Sequence, residues 1–427
     1  MVNRLIYCLL VCLLAFSCQE KEVLFEEGWE VEVSGSTVYV KEYAIGHEGE
    51  DVSQREPIIV VHGGPVLDHT YFIPHLDELA RTYQLIFYDQ RVCGRSSLEV
   101  DTATMTLDGF ADALASRREA LITLSATNNG KPLAEAGIDL DDAIACYRYY
   151  AKQAKALDAR QGERVSVEME GVEARTYHDP VGVVGLIAPW NFPLVTSAWK
   201  LAPALAVGCT AVFKPSEVTP LPEQVLAEIA LEIGLPAGVL NLLNGDGEGI
   251  GAPLTNHSGV DKISFTGSNR VGEAVMQAAS ARTASVSLEL GGKSPILVME
   301  DADPAQAADW VMAGIYFNAG QICSATSRLL VHEDIAEALY AALAERMDAL
   351  TLGDPLAEGT DLGPLTSVKQ RDAVQRYLDI ADQEGLTVVR DGKHRTLPAQ
   401  GYFLAPTLYR DVPVESRLWK EEIFGPV

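Results

Sequence analysis

Apolar and polar positions change rhythm along this chain. From residue 181 to 281, short apolar runs alternate with amphipathic stretches. Val181–Ile187 reads as a strand, 196–207 as a helix, Thr210–Phe213 as a strand and 219–233 as a helix. Residues 239–242 and 261–265 then read as strands, and 269–281 as a helix. Alternation of this kind predicts a parallel sheet covered by helices. Upstream, 111–126 and 139–157 have helical periodicity, with Asn129-Gly130-Lys131-Pro132 as punctuation between them. Val165–Tyr177, split at Gly171, reads as a β-hairpin or surface ribbon. Before residue 110 the pattern differs. Val31–Tyr43 alternates like paired strands, Pro57–Val61 is a buried strand, 71–82 is helix-like and Gln84–Tyr88 is a strand. No internal repeat or low-complexity linker marks the join near residue 110.

Composition narrows the function classes. The chain has 427 residues, enough for two or three domains with sizeable cores. Its formal net charge of -27 argues against general nucleic-acid binding, which needs a basic footprint. Seven cysteines are present with no C-x-x-C pair, a pattern of reduced thiols without zinc-ligand spacing. Residues 1–18 read as an export signal. Arg4 precedes an apolar run, Leu5 to Phe16, too short to span a bilayer comfortably. Ala15-Phe16-Ser17-Cys18 looks like a lipoprotein cleavage site with Cys18 lipidated.

The chemistry concentrates in residues 289–323. They open with Glu289-Leu290-Gly291-Gly292-Lys293-Ser294-Pro295 and close with Gly320-Gln321-Ile322-Cys323-Ser324. A thiolate is a nucleophile, and a nearby carboxylate can activate the water that releases a product. Taken singly, a cysteine is more often a small buried hydrophobe and a glutamate a surface residue. Their pairing, with the motifs around them, favours chemistry. Asn191, in Pro189-Trp190-Asn191-Phe192-Pro193, follows a strand and offers an amide N–H to a developing oxyanion. Ile263-Ser264-Phe265-Thr266-Gly267-Ser268 leads from strand into helix, with Gly267 and Gly272 bracketing the first turn, a start suited to a pyrophosphate. Lys214-Pro215-Ser216-Glu217 follows the strand Ala211–Phe213.

These strings closely resemble aldehyde dehydrogenases. LELGGKSP, GQICSATSR, FTGS and EEIFGPV carry the likeness, which runs from about Ala111 to Val427. The resemblance implies an α/β fold, with a Rossmann-like NAD-binding domain at 111–290 and a catalytic domain at 291–427. It implies Cys323 as nucleophile, Glu289 as base and Asn191 as oxyanion donor. The cofactor residues would be Trp190, Lys214, Glu217, Gly267, Ser268, Gly272, Glu422 and Phe424. The carboxylate of Glu217 accepts from both ribose hydroxyls and repels a 2′-phosphate, which favours NAD over NADP. No metal is required. Within the family, GQICSATSR and the run from Trp190 to Lys200 look most like betaine-aldehyde and aminoaldehyde dehydrogenases. Phe192, Trp199 and Phe317 match places where that group sets aromatics around a cationic head, each ring worth roughly 0.5–2 kcal/mol. The implied reaction is oxidation of such an aldehyde to its acid through a cysteine thiohemiacetal and thioester.

Residues 19–110 resemble the start of a proline iminopeptidase-type α/β hydrolase, on His62-Gly63-Gly64-Pro65 and Asp89-Gln90-Arg91-Val92-Cys93-Gly94-Arg95-Ser96-Ser97. Val66 and Val92 stand where that family has glycine, and no serine in the chain has glycine both two before and two after it. A serine peptidase is therefore disfavoured, since its nucleophile elbow is lacking. The abrupt join leaves an inactive chimera or truncated fragment as the other reading. The resemblance places further catalytic-domain sequence, and an arm strand that pairs with the hairpin for homo-oligomer formation, beyond Val427. The dehydrogenase part implies the cytoplasm, and the signal implies a membrane-anchored lipoprotein.

Overall fold

The computed structural model describes residues 22–33, 36–61, 76–89, 106–167, 172–392 and 395–427. Contacts divide the chain into two units, Met1–Met105 with Gly234–Val239, and Thr106–Ile233 with Leu240–Val427.

In the first unit, β1 (Glu22–Val33) and β2 (Ser36–His47) form an antiparallel hairpin with Glu22 opposite His47 and Val33 opposite Ser36. This is longer than the alternation over Val31–Tyr43 predicts. β3 (Pro57–Val61) lies parallel to β4 (Gln84–Asp89), and the sheet order is β1-β2-β4-β3. Tyr43, Ala80, Leu85 and Phe87 make its core. The Tyr43 hydroxyl donates to Asp77 at 2.9 Å, at the start of the single helical turn Asp77–Ala80. The export signal with Cys18, the HGGP string and the Gln90–Ser97 string lie outside the described residues.

The second unit opens with the helix Leu107–Ser116, a few residues ahead of the expected join. Thr106 caps it by accepting the Gly109 N–H at 3.0 Å. Phe110 is buried and stacks on Tyr147 with centroids 5.0 Å apart. Arg117 breaks the run, and a second helix, Arg118–Asn129, ends on left-handed Gly130 with φ 97°. The punctuation at 129–132 is thus a helix C-cap. Leu133–Arg160 is one 28-residue helix, longer than its core periodicity. β5 (Glu163–Val165) and β6 (Ala174–Thr176) pair antiparallel as the ribbon predicts.

Five parallel strands follow: β7 (Val183–Ile187), β8 (Thr210–Lys214), β9 (Leu240–Leu242), β10 (Lys262–Thr266) and β11 (Ser285–Glu289). Their order is β11-β10-β7-β8-β9. Helices Pro193–Ala206, Leu221–Glu232 and Asn269–Ser280 connect them. β7 is central and almost wholly buried, while edge strand β11 is exposed at every second residue. The strand order reverses between β7 and β10, and ligands of open α/β sheets bind outside the carboxyl ends at such a point. The remaining chain adds a parallel pair, β12 (Pro295–Val298) with β13 (Arg328–Val331), and an antiparallel pair, β14 (Thr387–Arg390) with β15 (Leu408–Arg410). A second core, including Tyr316, Met347, Val374 and Ile423, takes Ile322 at its edge. That contact anchors the chain one residue before Cys323.

Candidate active site

A cleft of ≈ 520 Å³ opens at the strand-order reversal. The loop after β7 supplies Trp190, Asn191 and Phe192, and the loop after β10 supplies Gly267 and Ser268. Glu289 ends β11, and Cys323 arrives from the loop after the helix Pro304–Tyr316. Trp199, Phe317, Glu422 and Phe424 complete the group. All the sequence-derived site residues except Lys214, Glu217 and Gly272 therefore meet in one cleft.

Cys323 is exposed, while Asn191 is buried. Burial pushes the Cys323 thiol above its ordinary value, partly opposed by backbone N–H groups at Ser324 and Cys323. The carboxylates of Glu422 and Glu289 push it the same way as burial. The thiol accordingly needs a base to become nucleophilic, and Glu289 is an exposed carboxylate of the same cleft.

The loop leading to Cys323 is unusual. Asn318, Ala319 and Gly320 take left-handed conformations with φ of 50°, 53° and 74°. Ala319 costs roughly 1–2 kcal/mol in this region. The turn holds because Glu135 accepts the Asn318 N–H at 2.8 Å and Gln321 Nε2 donates to the Asn318 carbonyl at 2.9 Å. Gln321 Oε1 in turn accepts the Thr366 N–H at 3.0 Å. The Asn191 side chain donates to the Gln321 carbonyl at 2.8 Å, which ties the β7 loop to the cysteine loop.

Glu422 sits against the glycine pair. Its Oε1 accepts the Gly292 N–H at 3.1 Å, and a Cβ on Gly291 would stand 2.0 Å from Oε2. Burial raises its carboxyl above the usual value. Trp190 and Phe424 meet edge to face at 5.3 Å, and the Gln370 side chain donates to the Phe424 carbonyl at 2.7 Å. Phe192 and Phe317 lie parallel, 6.2 Å apart. Below β8, Lys214 is buried and donates to Glu217, which is exposed, at 3.2 Å. Gly272 is buried inside the helix Asn269–Ser280. The Gly267 N–H is already donated to the Glu289 carbonyl at 3.0 Å, so it ties β10 to β11 and is not a spare donor for a phosphate.

The family model for the aldehyde dehydrogenase family matches residues 96–427. The chain belongs to the aldehyde dehydrogenase family. It is 44% identical over 321 residues to the chloroplastic betaine aldehyde dehydrogenase of Beta vulgaris, covering 75% of this chain and 64% of that protein. It is 45% identical over 321 residues to peroxisomal aminoaldehyde dehydrogenase 2 of Malus domestica, with the same shares. Among solved structures, an NAD+ complex of the Bacillus cereus aldehyde dehydrogenase is similar at TM-score 0.73 and 41% identity, covering 76% of this chain and 65% of that one. The Staphylococcus aureus betaine aldehyde dehydrogenase, also in complex with NAD+, is similar at TM-score 0.72 and 37% identity, covering 77% and 65%. The chain thus spans about two thirds of the length of the relatives it matches.

Several charged residues in and around this candidate site escape motif reading. Lys131 stands in a string that reads as punctuation, yet its side chain is fully buried beside the cleft. Asp139 and Asp142 also line the cleft, from a helix whose periodicity shows only its packing face. Lys200 lies between β10 and Glu289, donating to Ser264 Oγ at 3.1 Å. Burial pulls its ammonium down to about 8, and the Glu289 carboxylate opposes that. No local signal separates Lys131, Asp139 and Lys200 from solvated charges; only their burial does, while Asp142 stays exposed and is found only by its place in the cleft.

Proposed function

We propose that this chain carries out NAD-dependent oxidation of an aldehyde to a carboxylic acid. The supporting observation is the convergence of Cys323, Asn191 and Glu289 at the carboxyl ends of β7, β10 and β11. A nucleophile, an oxyanion donor and a base from distant parts of the sequence share one cleft.

The residues suit a dinucleotide. Exposed Glu217 beside buried Lys214 offers a carboxylate to the adenosine ribose hydroxyls and repels a 2′-phosphate. Trp190, Phe424 and Glu422 would hold the nicotinamide half. The cofactor, when bound, supplies the hydride acceptor. The Cys323 thiolate attacks the carbonyl carbon, forming a C–S bond while the π pair moves to oxygen. The Asn191 side-chain amide and the Cys323 backbone N–H stabilise that oxygen. After loss of hydride the acyl group remains on Cys323 as a thioester. Glu289 takes a proton from water, the hydroxide adds to the acyl carbon, and the acid leaves as the Cys323 thiolate returns.

A cationic aldehyde, betaine aldehyde or an aminoaldehyde, fits the cleft best. Phe192, Phe317 and Trp199 present rings, and Asp142 adds a negative wall. The relatives named above carry these substrates in their names. Mixing the chain with NAD and betaine aldehyde should give NADH absorbance that is lost in Cys323→Ala. NADH formation that persists in Cys323→Ala, or its absence in the folded, soluble wild-type chain, would refute the proposal.

A further inference from the structure

One buried cation reaches the cleft from behind. The Lys131 side chain is wholly buried, and its ammonium is held by the Asp139 carboxylate. Its other two directions both face the active site. Nζ donates to the Asn191 carbonyl at 3.0 Å and lies 4.0 Å from the centre of the Phe192 ring. The same carbonyl also accepts from Asn318 Nδ2 at 3.0 Å and Asn129 Nδ2 at 3.4 Å. The Trp190 carbonyl, one residue earlier, accepts from Asn129 Nδ2 at 2.9 Å and Thr219 Oγ1 at 2.8 Å. The Trp190 and Asn191 carbonyls are thus clamped by five donor contacts, and Lys131 provides the charged one. A lysine serving only to neutralise Asp139 would need neither the Asn191 carbonyl nor the Phe192 face.

We propose that Lys131 is a positioning residue of the aldehyde site: its ammonium fixes the Asn191 backbone and the Phe192 ring, so that the Asn191 side-chain amide meets the oxyanion formed when Cys323 adds to an aldehyde. The proposal rests on the roles given above to Cys323 and Asn191. The relevant step is reversible and needs no cofactor. The C–S bond forms, the carbonyl π pair moves to oxygen, and the thiol proton passes to solvent base. Only the oxyanion formed in that step uses the Asn191 amide; alkylation of the same thiol by iodoacetamide does not.

The test uses the full chain without NAD. Iodoacetamide alkylation of Cys323 is followed by mass analysis of its peptide, alone and with rising betaine aldehyde. Lys131→Met leaves the Asp139 carboxylate buried and unpaired, which threatens folding. Lys131→Met with Asp139→Asn removes both charges and keeps the shape. In that double variant the aldehyde concentration giving half-protection should rise about tenfold or more, within the roughly hundredfold that a misplacement of about 1 Å can cost. Alkylation without aldehyde should stay within about twofold of wild type. Unchanged protection would overturn the proposal. An equal loss of alkylation and protection would also overturn it, because Lys131 would then be a general brace of the cysteine loop. A wild-type chain alkylated at Cys323 but never protected by aldehyde would sink the aldehyde reading itself and this inference with it.

Discussion

Glu135 offers a perturbation whose sign and size follow from the structure. Its Oε2 accepts the N–H of Asn318, the first of the three left-handed residues that lead to Cys323. Burial raises its carboxyl from 4.5 to about 7; the Asn318 hydrogen bond and Lys131 oppose that, and Asp139 adds to it. The folded chain therefore keeps a proton that the unfolded chain gives up above 4.5. The resulting stability is fully present below 4.5 and fades as pH climbs through 7. At about 1.4 kcal/mol per unit the shift is worth about 3 kcal/mol. Residual solvent contact of the side chain brings this to roughly 2 kcal/mol. Glu135→Gln keeps an oxygen that accepts from Asn318 and removes the titration. The variant should gain on wild type between pH 5 and pH 8.5, by roughly 4 °C in melting temperature at about 2 °C per kcal/mol. Calorimetric scans of both proteins at pH 5, 7 and 8.5 provide the check. A variant-minus-wild-type difference that is the same at every pH, or larger at pH 5, would refute the reasoning. Glu135→Ala, which loses the acceptor, should be less stable than Glu135→Gln throughout.

Two further outcomes are expected. Gly320→Ala places a Cβ 2.1 Å from the Gly425 carbonyl oxygen at φ 74°, and neither backbone can yield easily. It should destabilise the second unit by about 1–3 kcal/mol in denaturant titration and cut NADH formation; a variant with wild-type midpoint would contradict the close approach. Glu217→Gln removes the charge that repels a 2′-phosphate, so the ratio of NAD to NADP use should fall by about tenfold in parallel kinetic assays. An unchanged ratio would show that another residue selects the cofactor.

Sequence by itself determined the kinds of elements and singled out the candidate reacting groups. The apolar rhythm from 181 to 281 found four of the sheet's five strands and the three helices named above to within a few residues, because burial on one face or two leaves a local period. The edge strand β11 (Ser285–Glu289) lay beyond it and was not predicted. Glu289, Cys323 and Asn191 were legible because each sits among glycines, prolines or small residues that a tight turn requires. The tertiary structure alone decided which of these turns meet. The order β11-β10-β7-β8-β9 sets the loops after β7 and β10 side by side although they are far apart in the chain, and strand neighbours leave no mark on a strand's own periodicity. It also decided which charges are buried. Lys131 stands in a string that reads as punctuation and Glu135 falls between the two predicted helices; both are tied to the site only because Asn191 and Asn318 pack against them. A charge's environment is set by distant segments, so one-dimensional reading cannot supply it.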